Sequence, residues 1–160
     1  MTHHLSRRLV AALSAGVLLL ASAAADPTPA PSPVGSWTFV SGTMNGGCVL
    51  SGDMVVTQKA DRVLLCDFRA KWSCETRLPK SVHTEQTCTA TQSGADVIIT
   101  SRMKKIARVD PVELADYMRA NYAADHFRVK INARGDEMRG LFHSYGQAEV
   151  IFRRPVELIG

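Results

Sequence analysis

The sequence predicts an all-β protein: a small antiparallel up-and-down barrel of eight strands, with one α-helix inserted before the last three. Three observations carry this. Apolar and polar residues alternate with a period of two over most of the chain, which turns one face of each segment inward. Turn-forming residues divide that pattern into eight short segments, near 36–41, 48–58, 62–77, 82–92, 96–103, 126–133, 137–143 and 147–154. The last three segments can also be set in register so that their apolar residues share a side. Eight short strands with one inward face suit closure into a barrel, although period two alone does not separate a barrel from a two-sheet β-sandwich.

Composition bounds the class. With 46% hydrophobic and 21% charged residues in a 160-residue chain, there is enough apolar surface to offset chain entropy, which excludes disorder. Only one stretch is continuously apolar, which excludes a polytopic membrane protein. That stretch, residues 9–21, follows Arg7 and Arg8 and ends in small residues up to Ala25. It is shorter than the roughly 20 residues a spanning helix needs, so residues 1–25 read as a secretory signal peptide. Subtracting its two arginines lowers the formal charge from +4 to +2, and little basicity remains to attract nucleic acid. Residues 26–33 carry proline at every second position, an extended proline-rich linker. The folded domain is then 34–160, with no transmembrane segment after leader removal and a periplasmic or secreted destination.

Each strand has its own justification. The first opens at Ser36. In the second, Cys48, Leu50, Met54 and Val56 share a parity. In the third, Leu64, Cys66, Phe68, Ala70, Trp72 and Cys74 face one way and Asp67, Arg69, Lys71 and Ser73 the other. Val82, Cys88 and Ala90 share a face of the fourth. Turns at 59–61 and 78–81 make these a three-stranded meander. The helix is expected from Asp110 as cap, Pro111 at its first position, Glu113 completing a capping box, and Leu114, Met118 and Tyr122 at four-residue spacing. With a turn at Arg134-Gly135, Phe127 faces Phe142, Val129 faces Gly140 and Ile131 faces Met138. A second turn at Ser144-Tyr145-Gly146 adds Ala148, Val150 and Phe152 to that face.

Cys48, Cys66, Cys74 and Cys88 all follow the leader, and an even number of cysteines in an exported chain implies two disulfides. On one unbroken strand Cys66 and Cys74 would lie about 26 Å apart, so they do not pair with each other. Two schemes remain: Cys48 with Cys66 and Cys74 with Cys88, or Cys48 with Cys74 and Cys66 with Cys88. In each, one bond suits simple hairpin registers and the other does not; the sequential pairing is preferred.

Gly35-Ser36-Trp37 at the first strand, with Arg153 and Arg154 ending the last, resembles the lipocalin-type, or calycin, arrangement. That resemblance implies that Trp37 plugs the closed end of the barrel with Arg153 or Arg154 lying across it, and we assign the closing pair to Trp37 and Arg153. Guanidinium over indole is a favoured contact. The chain departs from that family in placing its helix before the last three strands rather than after the last. Residues 35–66 also resemble exported bacterial inhibitors of metalloproteases, small barrels that engage the protease through the N-terminal segment.

For function, Trp72, Phe127, Gly140, Phe142 and Tyr145 are the candidate ligand-binding residues. The run Phe142-His143-Ser144-Tyr145-Gly146 places aromatics at a strand end where a barrel mouth would display them, and an inward Gly140 would leave room for a ligand. His126 and His143 face each other but on the outer side, and are read as an ordinary polar pair rather than metal ligands. Arg102, Lys104, Lys105 and Arg108 form a basic cluster ahead of the helix, read as a solvated face. Arg134-Gly135-Asp136 serves its hairpin turn. Neither an activated nucleophile nor a carboxylate pair nor a phosphate loop emerges; Asp136 and Glu137 are adjacent and point to opposite faces. The expectation is an exported binding module without catalytic activity or cofactor, taking a small apolar ligand or an envelope protein. The alternative is a protease inhibitor or other partner-binding protein that makes contact through residues 26–34 or 41–47.

Overall fold

The computed structural model describes residues 30–59 and 63–155; the residues read above as a leader, most of the proline-rich segment and part of the 59–61 turn lie outside them. Eight antiparallel strands form a closed barrel in sequence order: β1 (Gly35–Ser41), β2 (Cys48–Gln58), β3 (Leu64–Cys74), β4 (Ser81–Ser93), β5 (Asp96–Asp110), β6 (His126–Ile131), β7 (Glu137–His143) and β8 (Gln147–Arg153). The β1–β8 pairing, from Thr38 opposite Arg153 to Ser41 opposite Val150, closes the cylinder and sets the sandwich aside.

The expected register of the last three strands holds at each pair: Phe127 opposite Phe142, Val129 opposite Gly140, Ile131 opposite Met138, and Phe142 opposite Ala148. Gly135 adopts φ +72°, the left-handed conformation its turn requires. All five phenylalanines, Phe39, Phe68, Phe127, Phe142 and Phe152, are buried in the barrel. Phe127 alone meets the other four rings at centroid distances of 5.2 to 5.9 Å. The interior is occupied by the chain's own side chains.

The disulfides overturn the preferred pairing. They join Cys48 to Cys74 and Cys66 to Cys88, because each pair lies directly opposite on neighbouring strands. The expectation failed at the β3–β4 connection. A third strand running to 77 puts the turn too late, whereas β3 stops at Cys74 and residues 75–80 form a loop centred on Arg77. That shift of the hairpin centre sets Cys66 against Cys88.

β5 is also longer than expected, running 15 residues to Asp110. The basic cluster therefore belongs to a strand. Against β4, Ala107 and Lys104 are extra residues where the register shifts, and such bulges break the period-two signal that a reader would follow. The β5–β6 ladder covers only four pairs, from Asp96 opposite Lys130 to Ile99 opposite Phe127. Beyond it the strands part, and the gap is spanned by a 3-10 turn (Val112–Leu114) and the seven-residue helix α1 (Ala115–Asn121). The expected capping box does not form: neither helical segment has a side-chain cap hydrogen bond, and Asp110 instead pairs with Ser81 as the end of β5. Met118 of α1 packs with Val82 and Val109 in a second small core beside Trp72.

Candidate functional site

The strand directions sort the loops into two ends. Residues 42–47, 75–80, 111–125 and 144–146 gather at one end, here called the mouth; residues 30–34, 94–95 and 132–136 lie at the other.

At the far end, Trp37 is buried and its Nε1 donates to the Pro33 carbonyl at 2.8 Å. The guanidinium above its ring, 4.3 Å from the centroid, is that of Arg154. Arg154 also donates to the carbonyls of Gly135, Val34 and Ser32. Arg153 does not close the barrel. It is one residue out of phase, so its side chain points outward and joins Arg139 around Glu137, which holds the Glu137 carboxyl below its ordinary range.

The five proposed ligand residues separate. Phe127 and Phe142 are fully buried core residues. Gly140 faces inward, but a Cβ there would lie 2.0 Å from the Arg128 carbonyl oxygen and 2.7 Å from the Val129 Cα. The glycine lets two strands approach and leaves no ligand space. Trp72 and Tyr145 do meet at the mouth, together with Arg77, and line two adjoining hollows. One, of about 320 Å³, is completed by the loop residues Leu78 and Pro79 and by Tyr117, Met118 and Tyr122 from the helix region. The other, of about 280 Å³, is completed by Thr43, Met44 and Asn45.

Beneath these hollows the sequence reading missed a buried polar network. Asp125, completely buried just before β6, accepts from Gln86 Nε2 at 2.5 Å, and its backbone N–H donates to Gln86 Oε1 at 3.0 Å. Gln86 also donates to the Thr84 hydroxyl, and Tyr122 donates its hydroxyl to Asp125 at 3.2 Å. Burial pushes the Asp125 carboxyl up to about 6, against the opposing effect of hydrogen bonds from Gln86 and Tyr122. Burial likewise pushes the Tyr122 phenol up, reinforced by Asp125. Tyr145 clamps the same segment: its hydroxyl accepts from the Ala123 N–H at 3.0 Å and donates to the Asn121 carbonyl, while Ser144 donates to the Ala123 carbonyl. The available signal was parity, since Thr84 and Gln86 occupy inward positions on β4 between Val82 and Cys88.

His126 and His143 are opposite each other as expected. The Nδ1 of His126 accepts the Ser101 N–H at 3.1 Å, tying β5 to β6 where their ladder ends. The basic cluster lies on the outer surface, where Lys105 pairs with Glu85. Burial, reinforced by the charges of Lys71 and Arg108, lowers the affinity of His83 for its proton.

Two disulfides place the chain among proteins that suit an oxidising compartment, and no helix among the described residues is long and apolar enough to cross a membrane. The class these features define is an eight-stranded antiparallel β-barrel with a helix-capped mouth. Comparison with known protein families and with curated proteins finds no match. Among solved structures, a de novo designed fluorescence-activating β-barrel is similar at 15% identity and a TM-score of 0.43, over 76% of this chain and 93% of that one.

Proposed function

We propose that the protein is an exported binding module, without catalytic activity, whose site is the mouth of the barrel. Residues 1–25 would be its leader and 26–33 its tether. The observation that carries this reading is the contrast between an interior filled by five phenylalanines and the two hollows around Trp72, Arg77 and Tyr145. A small apolar ligand enclosed among Phe127, Gly140 and Phe142 has no space, so a ligand is met at the rim. Hollows of this size, lined by aromatic side chains and a few polar groups, take small molecules. The test is a titration of the amide resonances with small compounds. Shifts confined to Trp72 and residues 42–47, 75–80, 111–125 and 144–146 are the expected result, and shifts spread along the inward positions of β6 to β8 would sink it.

The second reading is a protein partner seated on the mouth. It is favoured by three large side chains crowded there and left open to solvent, Leu78, Tyr117 and Tyr145, which are 66%, 64% and 52% exposed. The inhibitor version of that reading, with contact through the N-terminal arm, operates at the opposite end, where Pro31 and Pro33 are already bound to Gln92 and Trp37. Deleting residues 26–30, which spares those contacts, separates the two. Loss of inhibition of an exported protease supports the arm, whereas a partner complex that forms unchanged places contact elsewhere.

A further inference from the structure

We propose that the mouth selects a small aromatic acid, stacking its ring among Trp72, Tyr117 and Tyr145 and binding its anionic group on Arg77. This rests on the reading of the mouth as the binding site, and adds the chemical class of ligand.

Arg77 is singled out by where it stands. Arg119, Arg134, Arg139 and Arg153 each have a carboxylate partner, and Arg154 has three carbonyls and an indole. Arg77, like Arg69, Arg102, Arg108 and Arg128, makes neither an ion pair nor a hydrogen bond among the described residues, and of these five it alone lines the two mouth hollows, beside Trp72 and Tyr145. A guanidinium carries five donors in a planar fork that fits a carboxylate with two parallel bonds.

Its position is built. The backbone of Gly46 has φ +83°, and a Cβ there would stand 2.2 Å from Arg77 Cδ and 2.3 Å from Cγ. The arginine stem therefore lies flat on Gly46, in a place that only glycine leaves open. Thr76 fastens the two loops next to it, donating both its N–H and its hydroxyl to the Gly46 carbonyl at 3.2 and 3.0 Å. Cys48–Cys74 joins the strands from which both loops spring. Glu75, the nearest carboxylate in sequence, is turned to Gly47, where an added Cβ would meet its Oε2 at 2.9 Å.

Trp72 and tyrosines alone would also suit an organic cation, which aromatic faces attract. An unneutralised guanidinium in the same wall repels a cation and favours an anion. The combined chemistry is that of an arene bearing a carboxylate or sulfonate.

The experiment titrates the full exported chain with 1-naphthoate, 1-naphthamide and phenyltrimethylammonium by calorimetry, alongside Trp fluorescence. Naphthoate is expected to bind at least tenfold tighter than the amide, and the cation not at all. Arg77→Gln should bring the affinity for naphthoate down to that for the amide, and Arg77→Lys should retain part of the preference. Equal binding of acid and amide, both weakened by Tyr145→Ala, overturns the acid preference but leaves the mouth as the site. Binding of neither compound, or binding indifferent to Tyr145→Ala, overturns the inference and removes support for the mouth as a small-molecule site as well.

Discussion

The two ends of this barrel are sealed by different chemistry. At the far end an indole is covered by a guanidinium that donates only to backbone carbonyls. At the mouth the ladder between β5 and β6 gives out after four pairs, and the opening is filled by α1 and by a buried carboxyl held between Gln86 and Tyr122. A buried carboxyl is built into the closure at the mouth, and only backbone carbonyls and an indole meet the guanidinium at the other end. The mouth is also where the chain leaves aromatic surface uncovered, so the less regular closure coincides with the surface proposed for binding.

The largest effect expected from breaking this contrast is at the far end. Trp37→Ala removes a buried indole together with the seat of Arg154, and should cost about 3–5 kcal/mol of stability. Urea unfolding at pH 5 and pH 8 should show the same loss at both, since no titrating group depends on the indole. A loss that changed with pH would mean that the two ends are coupled through the phenylalanine core.

The disulfides come next, because they divide between the regions: Cys48–Cys74 lies beside the mouth loops and Cys66–Cys88 in the barrel wall. Their sequence separations of 26 and 22 residues are nearly equal, so on the chain-entropy account each double alanine variant should lose a similar amount, about 3 kcal/mol. Local effects should differ. Hydrogen exchange should rise in residues 42–47 and 75–80 only when Cys48 and Cys74 are replaced. Faster exchange there in both variants would show that the mouth takes its rigidity from the wall.

The same division explains what the sequence made legible. The register of β6, β7 and β8 could be worked out in advance because short turns fix it and the apolar faces of Phe127, Val129, Ile131, Met138, Phe142, Val150 and Phe152 agree with only one choice. The mouth could not. Residues 75–80 contain no turn signal strong enough to place the centre at Arg77, and the bulges at Lys104 and Ala107 hide seven further residues of strand, 104–110, among charges. Asp125 and Gln86 are separated by 39 positions, so their contact follows from closure of the barrel and not from any local pattern. Tyr145 was found because it sits in a short turn, but its partners Asn121 and Ala123 lie on the far side of a hairpin. At the other end, Gly35-Ser36-Trp37 located the indole correctly, while the arginine assigned to it, Arg153, is one residue short of Arg154, which covers it.

Asp125 provides the next smaller effect. Its folded value of about 6 lies above the ordinary carboxyl value of 3.8, so between those two pH values the folded state holds a proton that the unfolded chain has released. Stability from this group is therefore fully present below pH 4 and is lost as pH rises through 6, a difference of up to about 3 kcal/mol by linkage. Asp125→Asn keeps an acceptor for Gln86 and carries no charge, and should flatten stability between pH 4 and 7. Were the variant to keep the wild-type slope, the pH sensitivity would belong elsewhere, and the contrast between the ends would lose its physical basis.

The smallest effect concerns the two adjacent arginines. Arg153 and Arg154 have the same chemistry and differ in the side of the strand end they occupy. Arg153 remains in solvent beside Glu137, where an exposed ion pair contributes little and is screened by salt. Arg154 covers Trp37 and satisfies three carbonyls with a fork that lysine cannot reproduce. Arg154→Lys keeps the charge and should still cost about 1–2 kcal/mol, the sum of a weakened cation–π contact and lost charge-assisted hydrogen bonds. Arg153→Lys should leave the unfolding midpoint within experimental error. Because formal charge is unchanged in both variants, a difference between them isolates geometry from electrostatics. Equal losses would mean that the far end is held by positive charge in general, and that the indole needs no particular cover.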